Sequence, residues 1–267
     1  MSGTNWSTPP KIRPGWTPSS PGSFGPGPNE IEEPKSAKWA LCWAAAGSVL
    51  LMILPGLSFL ALPLQYLNTH VHEFCHAFAA LATGGQAHLI HVYASGSGRA
   101  LTSGGMFLAI VSAGYVGTAA VGAAMIALSR NVSGARLAMG LLGGLVGVSV
   151  LLWVRADVVG VVGGLFWSGL LLYLANRMRG VGSLVAAQFL GVQLCLTTLQ
   201  SFLVLFQVIG FAGIENDATI AYRATGIPAV VWAGIWSLIG LGLMALALRY
   251  AWMARPIAPT VRRARAR

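Results

Sequence analysis

Charged side chains are scarce in this chain: Asp, Glu, Lys and Arg together make up 9% of 267 residues. A soluble domain carries about 25%, so a water-facing globule is excluded for want of polar surface. Acidic residues are the scarcest, seven in all, which shortens any search for catalytic or metal-ligating carboxylates. Cysteine is equally sparse. Cys42, Cys75 and Cys195 all fall in apolar stretches and form no CxxC pair, so they read as small membrane-embedded residues and exclude a disulfide framework. An internal repeat of the kind many carriers show is also missing, which counts against a transporter.

Apolar residues fill the space that charge leaves. They make up 55% of the chain, and the mean hydropathy is +0.69. Runs of about 20 apolar residues are long enough to cross a bilayer as helices. Seven such segments follow Lys38, at about 39–59, 61–83, 104–128, 137–154, 158–175, 181–209 and 228–253. The expected fold is therefore an all-α polytopic membrane protein with about seven transmembrane helices. The third to fifth segments are rich in Gly and Ala, which permits close helix packing in lipid. The sixth carries Gln188, Gln193, Gln200 and Gln207. Residues 86–103 alternate loosely (His88, Ile90, Val92) and turn at Gly96-Ser97-Gly98, the pattern of a short β-hairpin. Residues 210–227, with Glu215, Asp217 and Arg223, read as irregular chain between two spans.

The flanks are different in kind. Residues 1–38 hold eight of the thirteen prolines among Gly and Ser, a composition expected to stay disordered. They show no apolar stretch behind a basic start, so they do not read as a signal peptide. The membrane domain is expected over 39–253 and a basic tail over 254–267. Six arginines lie at or after Arg249. They read as a cytoplasmic anchor touching anionic lipid, and with no basic-aromatic surface beside them nucleic-acid binding is not expected. Placing that tail inside, with seven spans, puts the N-terminus outside. A bacterial plasma membrane is the expected location.

All five histidines sit between positions 70 and 91, and five consecutive residues of that stretch form the pattern His72-Glu73-Phe74-Cys75-His76. On a helix, residues i and i+4 share a face, so His72 and His76 can present two imidazoles to one metal ion. Glu73 then stands where it can take a proton from a metal-bound water. Zinc lowers the pKa of such a water to about 7, which explains why these residue types occur at this spacing. Glu and His inside an apolar segment are also expensive and mark function.

A catalytic zinc site has three protein ligands and keeps the fourth position open. Glu30, Glu32 and Glu33 lie in the tail, so the remaining candidates are Asp157, Glu215 and Asp217. Asp157 reads as a solvated charge at a helix end. Glu215 and Asp217 lie in the irregular stretch before the last span, where non-helical backbone lining a cavity can reach a metal; residue chemistry alone does not choose between them. His70 falls on another helical face from His72. His88 and His91 read as hairpin residues or as partners of ligands.

Thr69-His70-Val71-His72-Glu73-Phe74-Cys75-His76-Ala77, Thr83-Gly84-Gly85 and Ser112-Ala113-Gly114-Tyr115-Val116-Gly117 resemble the site-2 protease-like membrane metallopeptidases. The likeness is to the compact bacterial, M50B-like subgroup. Asn216-Asp217-Ala218, Thr225-Gly226-Ile227-Pro228 and Trp232 match further features of that subgroup, and the likeness runs over about 65–250. It implies Asp217 as third ligand, Zn2+ as cofactor and hydrolysis of peptide bonds within or beside membrane-spanning segments. Better-known relatives carry the aspartate in an Asp-Gly pair, from which Asp217-Ala218 departs. Ser112 and Tyr115 either line the cleft or pack helices. The expected function is thus an intramembrane zinc metalloprotease with His72, His76 and Asp217 on the metal and Glu73 as general base. Its partners would be a transmembrane peptide substrate and the lipid bilayer. The alternative is a non-catalytic membrane scaffold that keeps a structural zinc, closed by a fourth ligand such as His70 or Glu215.

Overall fold

The computed structural model describes residues 33–53, 58–155, 157–207 and 216–253. In chain order these form α1 (Glu33–Ile53), α2 (Ser58–Ala82), β1 (Gln86–Val92), β2 (Gly98–Ser103), α3 (Phe107–Leu128), α4 (Val132–Leu152), α5 (Val158–Arg177), α6 (Val181–Gln207), α7 (Asp217–Thr225) and α8 (Ala229–Met253). The expected helices and hairpin are present, with shifted bounds. Helix α1 starts at Glu33, inside the stretch expected to be tail. Helix α4 starts at Val132, earlier than its apolar run, because the Asn131 side chain accepts the Gly134 N–H and caps it. The stretch expected to be irregular contains α7, a nine-residue helix.

Among the described residues five helices, α3, α4, α5, the first 19 residues of α6, and α8, are long and apolar enough to cross a membrane. Helices α1 and α2 stand outside this set of five, against the seven spans expected. Helix α2 is diluted by Gln65, Asn68, three histidines and Glu73. The ends of the chain also differ from expectation. Lys38 Nζ lies 5.0 Å from the Trp252 ring, and Leu41 shares a core cluster with Ala247. The start of α1 and the end of α8 therefore lie at one end of the bundle, where seven crossings would separate them.

Small residues and short polar links hold the helices together. A Cβ on Gly122 would lie 2.5 Å from the Gly191 carbonyl oxygen, so α3 and α6 approach to backbone contact, as small residues allow in lipid. Ser168 donates to the Gly143 carbonyl between α5 and α4 at 2.9 Å, and Ser237 to the Thr198 carbonyl between α8 and α6 at 3.0 Å. Gln188 donates to the Ser129 carbonyl at 2.8 Å. The side chains of Gln200 and Gln207 lie outside the described residues. The largest core cluster joins Leu67 and Val71 of α2 to Met139, Leu142, Leu171, Leu190 and Leu194 of α4, α5 and α6. Helix α2 is thereby clamped along one face, and on the other His72 and His76 turn to α3 and Glu73 to the hairpin.

The hairpin folds back along α2. Its strands pair antiparallel, with Ile90 opposite Ala100 and Val92 opposite Gly98, and the register slips between Ala87 and Leu89. Its turn is pinned where Tyr66 Oη donates to the Ala94 carbonyl at 2.8 Å and Thr69 Oγ1 to the Gly96 carbonyl at 2.6 Å. The whole strip thus lies beside the motif helix.

Candidate metal centre

Helix α2 sets His72 and His76 one turn apart, and their Nε2 atoms stand 3.1 Å from each other. Asp217 arrives from the far end of the sequence. Its Oδ2 is 2.9 Å from His72 Nε2 and 3.3 Å from His76 Nε2. The structure thus brings together His72, His76 and Asp217. Glu215 lies outside the described residues.

Local sequence explains how a carboxylate from α7 reaches this point. Asn216 caps the helix: its side chain accepts the Thr219 N–H at 2.9 Å, and Thr219 Oγ1 accepts the Asn216 N–H at 3.0 Å. With the cap made by its neighbour, Asp217 in the first turn is free to aim at the histidines. Gly226 ends α7 in the left-handed conformation at φ 74°, a position that favours glycine. Ala218 and Ala221 are small enough to bury against Val111, Ala233 and Trp236. Removing the cap with Asn216→Ala costs a helix terminus about 1 kcal/mol. Metal affinity is expected to fall about fivefold in a competitive zinc titration, with Asn216→Ser restoring most of it.

The donor set tests whether a metal fits. His76 Nδ1 lies 2.6 Å from the Ile110 carbonyl oxygen, which can only accept, so Nδ1 carries a proton and the neutral ring offers its lone pair at Nε2. This is the partner that fixes a metal-binding tautomer. A second lone pair from the carboxylate meets it 3.3 Å away. With His72 Nε2, three ligand atoms thus lie within 4.8 Å of one another. Donors at 2.0–2.2 Å from a tetrahedral zinc stand roughly 3.3 Å from one another, close to the spacings here. The residues fit zinc.

Glu73 is buried beside this triangle, at 5% exposure. It lies within electrostatic range of His72, His76 and Asp217, and the backbone N–H of Ala100 points to it. Two glycines make the space. A Cβ on Gly98 of β2 would stand 2.6 Å from Glu73 Oε1, and one on Gly114 of α3 would stand 2.5 Å from His72 Nε2. Tyr115 sets its ring edge-on to His72 at 4.6 Å and stacks on Trp236 at 5.3 Å. Trp236 Nε1 donates to Ser112 Oγ at 3.0 Å, so both motif residues pack α8, and Tyr115 also borders the centre. Trp232 donates to Thr225 Oγ1 at 3.1 Å and ties α7 to α8.

The other candidates lie apart. His70 is fully buried on the α5 side of α2, where a Cβ on Gly164 would stand 3.1 Å from its Nε2. His88 pairs with Ser103 Oγ at 2.7 Å. His91 Nδ1 stands 3.6 Å from Asp157 Oδ2, and Asp157 caps α5. Sequence reading named Gly98 only as a turn residue and Gly114 only within the Ser112–Gly117 match, and it missed the Ile110 carbonyl and the cap on α7. Only the cap had a local signal, an Asn before a helix-compatible run.

Apolar helices of spanning length around a part-buried His/His/carboxylate cluster describe a candidate metal centre in a membrane-protein fold. The chain belongs to the Peptidase M50B-like family, whose model matches residues 41–247 and so covers all four residues of the centre. No curated protein and no solved structure matches it. With its five apolar helices and this family, it is an integral membrane protein.

Proposed function

We propose that this chain is an intramembrane zinc metalloprotease that hydrolyses peptide bonds in or near transmembrane segments. The observation that carries the reading is the triangle of His72, His76 and Asp217 donor atoms with Glu73 buried against it. His72, His76 and Asp217 would hold zinc, which when bound supplies Lewis acidity and a water acidified to a pKa of about 7. Glu73 takes the proton of the attacking water and passes it to the leaving amine. The Ile110 carbonyl keeps His76 in its ligating tautomer, and the surrounding helices limit access of bulk water. The hairpin offers an extended substrate a strand edge, since backbone in lipid must keep its hydrogen bonds paired.

The substrate is a transmembrane peptide or membrane protein, and the location is a bacterial plasma membrane. The end bearing Lys38, Arg130, Arg136, Arg177 and Arg249 faces the cytoplasm by the excess of basic residues. A scaffold with a closed structural zinc would need a fourth protein ligand, and His70 faces α5 instead.

Chelation tests the reading. Protein reconstituted in liposomes with a fluorogenic transmembrane peptide is expected to lose cleavage when stripped of metal, and to regain it with stoichiometric Zn2+ but not Mg2+. Cleavage that persists in protein verified to be zinc-free would overturn it.

A further inference from the structure

The hairpin is a strip with two unlike edges. Along β1, the Ile90 N–H donates to the Trp153 carbonyl at 3.0 Å and the Val92 N–H donates to Asp157 Oδ2 at 3.1 Å. Both bonds point away from β2. The residues opposite them are Ala100 and Gly98. In an antiparallel ladder, partners that do not bond each other both turn their N–H groups outward. The Tyr93 N–H bonding to the Ser97 carbonyl at 2.8 Å is the alternate, inward-bonded pair and fixes this phase. The amides of Gly98 and Ala100 therefore lie on the outer edge of β2, where that of Ala100 points to Glu73. One edge is closed, and the other faces the site.

Asp157 closes the first edge. Its Oδ1 accepts the Gly160 N–H and caps α5, while its Oδ2 takes the Val92 N–H. A cap needs one oxygen, and Ser, Thr or Asn supplies it as well as Asp. The second oxygen is what needs a carboxylate: an asparagine that kept the cap would turn its NH2 group on the Val92 N–H. The residue type is explained by the hairpin and not by the helix end. The expectation of a merely solvated charge at a helix end therefore misses half of its role.

We propose that Asp157 is a positioning residue for peptide hydrolysis. It anchors β1 so that the outer edge of β2 is presented, already ordered, to an extended substrate beside Glu73. The proposal rests on the protease reading above. Without the anchor, Val92 leaves an unpaired N–H, and the hairpin gains freedom that substrate binding must then remove.

The test uses the full-length protein in nanodiscs with Asp157→Ser and Asp157→Asn, both of which keep the α5 cap. Hydrogen exchange of the 86–103 segment is expected to rise roughly tenfold or more, the worth of one hydrogen bond to a charged acceptor. The first turn of α5 should stay protected and zinc content unchanged. For a transmembrane peptide, KM should rise roughly tenfold while kcat stays within about twofold, whereas partial misfolding lowers kcat and leaves KM alone. Unchanged exchange in both variants would overturn the anchor. Faster exchange with an unchanged KM would overturn the positioning role. Faster exchange in the variants of a wild type that cuts nothing would overturn the protease reading and its catalytic consequence, and leave the anchor standing.

Discussion

Glu73→Gln should bind zinc as the wild type does and cleave a transmembrane peptide at least ~10³-fold more slowly, within the range ascribed to a positioned general acid–base group. The substitution is nearly isosteric, which matters here. Glu73 is buried with β2 close enough that Gly98 has no room for a Cβ against Oε1, so a larger residue would displace the hairpin. A glutamine keeps an oxygen for the Ala100 N–H and loses only the capacity to take a proton. His72, His76 and Asp217 are untouched, so zinc content and thermal stability should not move. Glu73→Asp is the companion: it keeps the charge but draws the carboxylate back by about one carbon–carbon bond, and a misplacement of that size costs roughly 10² in rate. The order wild type, Asp, Gln in cleavage, at constant zinc content, separates proton transfer from metal holding. Equal cleavage by Glu73→Gln and wild type would sink the assignment of Glu73.

What the sequence made legible was governed by short-range rules. The seven apolar runs correspond to long helices because spanning length and composition are local properties. The hairpin was visible because alternation and a Gly-Ser-Gly turn are local too. The His72 and His76 pair follows from helical spacing alone. Asp217 is 145 positions from His72, and nothing local reports such a contact; scarcity of acids left it level with Glu215, and only the family resemblance chose it. The end shared by Lys38 and Trp252 was illegible for the same reason, since each apolar run was counted as one crossing with no knowledge of its neighbours. Helix α7 was missed because its pattern is nearly neutral: the residues that make it a helix are a cap, two buried alanines and a glycine stop, not an apolar stripe.

Gly114→Ala should cost most of the zinc, although it adds a single methyl to a helix. In an ordinary helix interior that change is worth about 1 kcal/mol of stabilisation, so a loss cannot come from α3 itself. The built Cβ would stand 2.5 Å from both His72 Cε1 and Nε2, and His76 Nε2 meets it as well. Both are the ends of rings whose positions are fixed. His76 is held through Nδ1 to the Ile110 carbonyl on the same helix as Gly114, and His72 is backed by Tyr115. Neither can give way without breaking the triangle, and moving α3 outward would carry the Ile110 carbonyl with it. A shift of about 1 Å is enough to cost roughly a hundredfold. Zinc affinity is therefore expected to fall by at least that factor, read by metal analysis after dialysis against a graded competitor, and cleavage should fall with it. Gly144→Ala is the control: nothing lies within 4 Å of a Cβ there, so zinc, cleavage and fold should be unchanged. Full zinc occupancy and cleavage in Gly114→Ala would mean that the two histidines do not meet their metal against α3, and the centre drawn here would have to be redrawn.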